Sequence, residues 1–416
     1  MLGLAKKSLP RIKMRRNGGG LNMYRVISNR KLSRGAVFTA LALSMFALVY
    51  YSEATAAAAR DGLSLCFNVI IPSLFPFFVM SSLVVELGFA EKLGRLFEPI
   101  MRPLFNVSGA CAAAFVLGFI GGYPVGAKTA IALYKNGSIG KSEAERLLSF
   151  CNNSGPAFIF GVVGAGIFSS SLVGLLLYCV HMLASVAVGI IFRGWGEKGT
   201  KKTSLKRVRV EAVSYSAAFT QSVTGAFSSM LNITAFVVLF TVIIKLLFAA
   251  GILPWLAEAL ETFLAPIGLN KQWCERLLTG IIELTSGVWS LHAAATQLGK
   301  AMAMAAFMLG WAGLSIHCQV LSFVSGSGLS VKSYVLGKLL HGIISAAFVS
   351  VFTRLFSLRA PVASYLAGQV RSIASLDFRT ALRISSVLAF IILLAFFILS
   401  LIICREKYRS MRKKGV

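Results

Sequence analysis

Glu283 is the residue whose chemistry most needs explaining. It sits in the middle of the apolar stretch Leu277–Leu291, whereas nearly all of the other acidic residues lie in loops or at segment ends. A carboxylate at bilayer depth costs at least ~2.5 kcal/mol on the mildest scale, so such a group usually faces a cavity and pairs with something. It would ligate a substrate or a coupling cation; the plainer alternative is a structural hydrogen bond to a neighbouring helix. Thr285 and Ser286 follow at once and offer hydroxyls in the same turn. Asn152, Asn153 and Ser154 stand before Gly155-Pro156 inside another apolar run. Proline removes a backbone donor and disrupts the preceding turn, which frees carbonyls, while the two amides offer both donors and acceptors. His317 and Gln319 hold the corresponding place further along; being two apart, they would share a cavity only on an unwound turn. His317 could titrate near neutrality or be a satisfied structural histidine. Lys128 closes the run GGYPVGAK, which also holds Tyr123 and Pro124. An ammonium at a hairpin tip would suit an anion, together with the free N–H groups there; snorkelling to the interface is the alternative.

Other chemistries fail on spacing. GGYPVGAKT approaches a phosphate-binding loop, but Ala127 occupies the lysine position and no strand precedes it. No HExxH, GxSxG or paired-carboxylate arrangement is present, so no catalytic constellation is expected and the chain does not read as an enzyme. The seven cysteines form no CxxC pair and read as small core residues. His181, His292 and His341 are isolated in sequence and suggest no metal site, and Lys245 reads as a snorkelling lysine or a counter-ion for Glu283. No cofactor is expected; a coupling cation, Na+ or H+, is left open.

The elements that must position these groups are membrane spans. The chain has 416 residues, 56% of them apolar and only 14% charged, which excludes a disordered basic tail and most soluble domains. About 20 apolar residues cross a ~30 Å hydrocarbon core. Eight stretches qualify: 35–52, 63–85, 147–168, 171–192, 231–252, 302–325, 333–353 and 384–404. The first follows a basic region and precedes Ala54-Thr55-Ala56, loosely like a cleavage site; it reads as a retained span rather than a signal peptide because so many spans follow. Two further stretches, 110–134 and 277–299, are interrupted by Gly, Pro or a charge and read as re-entrant hairpins. Non-helical backbone at membrane depth survives only where protein buries it or where it lines a wet cavity. Each hairpin is followed by a second interruption, CNNSGP at Cys151–Pro156 and SIHCQV at Ser315–Val320. Hairpin plus broken helix thus occurs twice, in halves of opposite membrane orientation. The expected fold is an all-α polytopic membrane protein of about eight transmembrane helices plus two hairpins in an inverted repeat, an architecture of secondary transporters. The spacing Gly118, Gly122, Gly126 should let backbones approach closely.

The net charge of +27 is concentrated. The first 34 residues hold ten basic side chains and no acidic one, and the stretches 193–211 and 405–416 are each net +5. Basic loops lie on the cytoplasmic side, so both termini are expected there, and nucleic acid is not an expected partner. Arg354, Arg359, Arg371, Arg379 and Arg383 contradict this scheme by falling outside. The organisation is then a basic tail (1–34), a first membrane half (35–192), a basic loop and amphipathic connector (193–230), a second half (231–355) and a C-terminal connector with a last helix and tail (356–416).

GFIGGYPVGAKTA (118–130), AERLLSFCNNSGPAFIFG (144–161), GIIELTSG (280–287) and GLSIHCQV (313–320) resemble, in this order, the sporulation integral membrane proteins that carry nucleoside-recognition, or Gate, domains. The resemblance covers roughly 60–355. It implies a relation to concentrative nucleoside transporters, whose two hairpins and two broken helices surround a midplane site. Close members of the family are associated with passing dipicolinate from the mother cell across the outer forespore membrane. By position, Tyr123, Pro124 and Lys128 fall in the first hairpin, Asn152, Asn153 and Ser154 in the first broken helix, Glu283, Thr285 and Ser286 in the second hairpin, and His317 and Gln319 in the second broken helix. The nucleoside transporters carry acidic groups in both hairpins; here the first has Lys128 and no carboxylate, which favours an anion such as a dicarboxylate. The expected function is alternating-access transport of a small anionic metabolite, dipicolinate first, in the cell membrane or the outer forespore membrane. A nucleoside or nucleobase transporter and a non-transporting sporulation scaffold are the other readings. Partners would be the small-molecule substrate and the lipid bilayer; the resemblance leaves room for a homo-oligomer.

Overall fold

The computed structural model describes residues 35, 38–87, 96–97, 99–196, 214–292, 297–355 and 383. The basic tail, most of the 193–211 loop and the expected last span at 384–404 lie outside them. The described residues contain helices and no strand. They divide into two compact units at Thr55/Ala56. The first holds α1 (Phe38–Tyr50), whose apolar side chains, among them Phe38, Leu41, Phe46 and Val49, are exposed.

α2 (Ser52–Leu65) runs through a π turn at Cys66–Ile70 into α3 (Ile71–Glu86). The first hairpin is α4 (Cys111–Gly121) and α5 (Val125–Lys135), joined at Gly122–Pro124. The first broken helix follows as α6 (Lys141–Cys151), the extended run Asn152–Gly155, and α7 (Ala157–Ile167), wound to the wider π spacing. α8 (Ser171–Ile191) starts at a serine cap, with the Ser170 hydroxyl accepting from the Val173 N–H at 3.3 Å. α9 (Tyr215–Ala249) is much longer than the 231–252 span read from hydropathy and is largely exposed, as a lipid-facing helix would be. α10 (Ile252–Leu264) bends sharply into α11 (Lys271–Ile282), which is capped by Asn270. α11 and α12 (Leu284–Ser290) form the second hairpin, broken at Glu283. α13 (Leu298–Trp311) and α14 (Gly313–Val324) form the second broken helix, and α15 (Lys332–Leu355) packs against α13, α6 and α8.

Four helical stretches among the described residues are long and apolar enough to cross a membrane: Ser171–Gly194, Tyr215–Ala249, Leu298–Val324 and Lys332–Leu355. Counting each of two bent pairs as one span gives up to six. The expected count of eight is not confirmed among the described residues, and the span expected at 384–404 lies outside them. The run 147–168 is apolar on average, but Asn152–Pro156 cuts it, and a π turn interrupts 63–85. Hydropathy averages over such breaks because it scores side chains and not backbone.

The two halves are held by glycines at backbone crossings. A Cβ on Gly118 or on Gly126 would overlap the Cys151 carbonyl oxygen, so both arms of the first hairpin press on the end of α6. A Cβ on Gly122, which has φ +71°, would come within 2.8 Å of the Gly155 nitrogen. In the second half the broken helix meets its hairpin tip likewise: a Cβ on Gly313 would lie 2.8 Å from the Leu284 nitrogen. Small residues bring membrane helices to backbone contact where apolar attraction alone cannot. The physical consequence is that each break in a helix sits directly against the tip of a hairpin.

Candidate functional site

The four discontinuities converge on one cavity. Its wall takes Gly121, Gly122 and Tyr123 from the first hairpin, Ser154, Gly155 and Phe158 from the first broken helix, Glu283, Leu284 and Thr285 from the second hairpin, and Ser315, Ile316 and Gln319 from the second broken helix. Ile70, Leu74 and Phe78 of α2–α3 and Ile233 and Val237 of α9 complete it with apolar surface. The empty space is about 520 Å³ including its open mouth. Mostly apolar walls with a few convergent polar groups are what a small ligand needs for burial and orientation.

Glu283 is buried and acts as the N-cap of α12: its Oε1 accepts from the Thr285 N–H at 3.0 Å and its Oε2 from the Ser286 N–H at 2.6 Å. The positive end of α12 thus offsets the carboxylate's charge without a cationic side chain. Behind the first break, Asn153 Nδ2 donates to the Phe150 carbonyl at 2.9 Å and to Ser185 Oγ at 3.2 Å, and Asn152 Nδ2 donates to Tyr334 Oη at 3.4 Å. The Ser154 N–H donates to His181 Nε2 at 3.0 Å. Against this framework several buried acceptors and donors have no protein partner: Asn152 Oδ1, Asn153 Oδ1, Ser154 Oγ, His317 Nε2 and Gln319 Oε1. Two of them, on Ser154 and Gln319, belong to residues of the cavity wall. Buried polar atoms left without a protein partner cost free energy, so they concentrate where a ligand or water supplies the bond.

Five of the residues singled out by sequence therefore line the cavity: Tyr123, Ser154, Glu283, Thr285 and Gln319. Asn152 and Asn153 are buried behind it and hold the break open. Pro124 is buried at the hairpin turn but is not on the wall, and Ser286 gives its N–H to Glu283 while its hydroxyl shares a hydrogen bond with that of Thr241 at 3.4 Å. His317 and Gln319 do not share the cavity. The unwound position of the second broken helix is Ala312, with φ +78°, ahead of both residues, so they lie on a regular helix and point apart. His317 donates from Nδ1 to the Gly313 carbonyl at 2.9 Å and packs between Trp311 and Tyr334.

Lys128 is exposed on α5, away from the cavity wall, and Lys245 is exposed on α9 with no ion pair to Glu283. A cation that is buried, next to the first break, is Lys338 of α15, which sequence reasoning passed over. Its Nζ donates to the Asn152 carbonyl at 2.8 Å, sits 3.4 Å from His341 Nδ1 and lies 5.1 Å from the centroid of the Tyr123 ring. His341 and His181, isolated in sequence, stack with ring centroids 4.3 Å apart. The available signal was a lysine in mid-span with a histidine three residues on, between Gly337 and Gly342. Those glycines let α15 approach Ser149 of α6 and Phe307 of α13 closely enough to bury the charge. No group of three or more His, Cys, Asp or Glu that could hold a metal occurs among the described residues.

Fold and site define a polytopic α-helical integral membrane protein with two helical hairpins and two broken helices around a cavity. A family model described as nucleoside recognition, the Gate domain, matches residues 67–191, which contain the first hairpin and the first broken helix. The sporulation integral membrane protein YlbJ of Bacillus subtilis (strain 168) is 32% identical over 319 residues, covering 73% of this chain and 78% of that protein. The chain belongs to this family of sporulation integral membrane proteins. No solved structure matches it.

Proposed function

We propose that the protein is a secondary transporter or facilitator for a small metabolite and that dipicolinate, moved into the developing spore, is its substrate. The observation that carries the reading is the convergence of four discontinuous helical elements on one cavity. A continuous helix spends its backbone groups on itself, whereas broken ones present carbonyls and N–H groups to a ligand at membrane depth. Breaks resting on hairpin tips also suit alternating access, since a hairpin can leave a break without unfolding a span. Tyr123, Ser154, Thr285 and Gln319 would orient the ligand, and Glu283 would fix the second tip. For a dianion the favourable potential comes from the start of α7 at the cavity wall rather than from Lys128.

Nucleoside or nucleobase transport is the second reading, favoured by the Gate match and by a wall whose charged side chain is a carboxylate. Uptake of labelled dipicolinate into proteoliposomes, with and without an imposed ion gradient and with unlabelled nucleosides as competitors, tests both. Saturable dipicolinate uptake that nucleosides leave unchanged is expected; uptake of nucleoside instead would replace the substrate assignment. Absence of transport of either, with normal spore dipicolinate in Glu283→Gln and Asn152→Ala strains, would favour a membrane scaffold.

A further inference from the structure

Lys338 is fully buried, and among the described residues no carboxylate pairs with it; the two ion pairs are Lys141 with Glu145 and Lys271 with Glu258. Polar groups reach it from several elements. Tyr334 and His341 share its helix, Cys151 and the Asn152 carbonyl come from the first broken helix, and His181 comes from α8. Tyr123 comes from the first hairpin and His317 from α14. Other charged groups of the packed helices turn elsewhere, among them Lys300 of α13 to the Gly268 carbonyl, Arg146 of α6 to the Trp195 and Asn106 carbonyls, Glu143 to the Ser108 N–H and Glu145 to the Ser330 N–H.

The hydrogen bonds assign the protons. His341 Nε2 faces the His181 carbonyl at 2.9 Å, an acceptor only, so that nitrogen carries the hydrogen and Nδ1 offers a lone pair to Lys338. His181 Nε2 accepts the Ser154 N–H, so its hydrogen is on Nδ1. Both rings are then neutral, and one mobile proton remains, between the Lys338 amine and His341 Nδ1. An isolated charge at this depth is costly, and such groups mark ion and proton pathways.

The proton is placed where it touches the cavity's moving parts. The carbonyl that accepts from Lys338 belongs to Asn152, two residues before Ser154 on the wall, and the ring over the ammonium is Tyr123, also on the wall. With the proton bound, the ammonium ties α15 to the break and to the first hairpin tip; without it, both ties weaken. We infer that Lys338, with His341 beside it, is the binding site of a coupling proton, loaded in the state described here and emptied when the cavity opens to the other side. This rests on the transporter reading above. On loading, a proton from water on one side bonds to the Nζ lone pair and makes the ammonium; on release that N–H bond breaks, the pair returns to the amine and the proton passes to water on the other side.

Two measurements test this. In detergent without substrate, the difference in Tm between the wild type and Lys338→Met should change between about pH 5.5 and 9, because only the wild type exchanges this proton. A flat difference overturns the proposal. In proteoliposomes, accumulation of labelled dipicolinate driven by a pH gradient should fall at least about tenfold in Lys338→Met and Lys338→Arg, while exchange of internal for external dipicolinate in Lys338→Met stays within about threefold, since exchange needs no release of the coupling proton. Equal loss, or equal retention, of both modes overturns it. A wild type that moves no dipicolinate in either mode refutes the substrate assignment instead, and the proton site is then decided by the Tm series.

Discussion

Replacing Glu283 with alanine removes the side-chain acceptor of two backbone donors, one buried and one part-buried. In the wild type its two carboxylate oxygens take the Thr285 and Ser286 N–H groups at 3.0 and 2.6 Å. A buried N–H left without an acceptor costs roughly 1–3 kcal/mol and an ordinary part-buried hydrogen bond about 0.5–1.5 kcal/mol, so Glu283→Ala is expected to destabilise the protein by about 1.5–4.5 kcal/mol. Gln keeps one acceptor oxygen but points an amide donor at the other N–H, so its loss should be close to half of that. Asp is a preferred helix cap and restores the acceptors. It draws the carboxylate back by one methylene, which should return stability while leaving the cavity wall altered. Thermal unfolding of the purified variants in detergent, paired with transport in liposomes, separates the two roles. The expected order of stability is wild type, Asp, Gln, Ala, with transport impaired in all three variants. An alanine variant that melts within ~0.5 kcal/mol of the wild type would refute the capping argument, because surface changes alone stay in that range.

The remaining expectations concern the supports of the cavity. Gly126→Ala drives a methyl into the Cys151 carbonyl, and overpacking of this kind costs about 1–3 kcal/mol or more, to be seen as loss of the monodisperse peak in size-exclusion chromatography. Tyr123→Phe deletes the hydroxyl that donates to the Leu309 carbonyl but keeps the ring over Lys338, so a drop of about 0.5–1.5 kcal/mol in the melt is expected. Arg146→Met leaves the Asn106 and Trp195 carbonyls without their guanidinium, at roughly 1–3 kcal/mol each in the same melt. Lys128→Ala should change dipicolinate uptake by less than about twofold, since Lys128 is exposed and away from the wall; a loss comparable to that of Glu283→Gln would reinstate it as a site residue.

Backbone chemistry was readable before any coordinates. The excess of apolar over charged residues places the chain in a membrane. Gly122–Pro124, Asn152–Pro156 and Glu283 interrupt helices because each supplies a glycine, a proline or a carboxylate that caps or breaks a turn, and all three breaks stand where they were expected. The second broken helix was displaced: its break falls at Ala312–Gly313, which look like ordinary small residues of an apolar run, and not at His317. The glycine spacing at 118, 122 and 126 announced a close crossing without naming its partner, Cys151.

Which polar side chains look inward could be decided only by the packing of the helices. A span that is apolar all round has no periodicity to mark its inner face, so Lys128 and Lys338, each a lysine in an apolar stretch, are indistinguishable by pattern. The crossing of α15 with α6 and α13 buries one of them beneath Tyr123 and leaves the other exposed. The same packing stacks His181 on His341, 160 positions apart, and joins to the cavity a proton-bearing cluster that no local stretch of the chain contains.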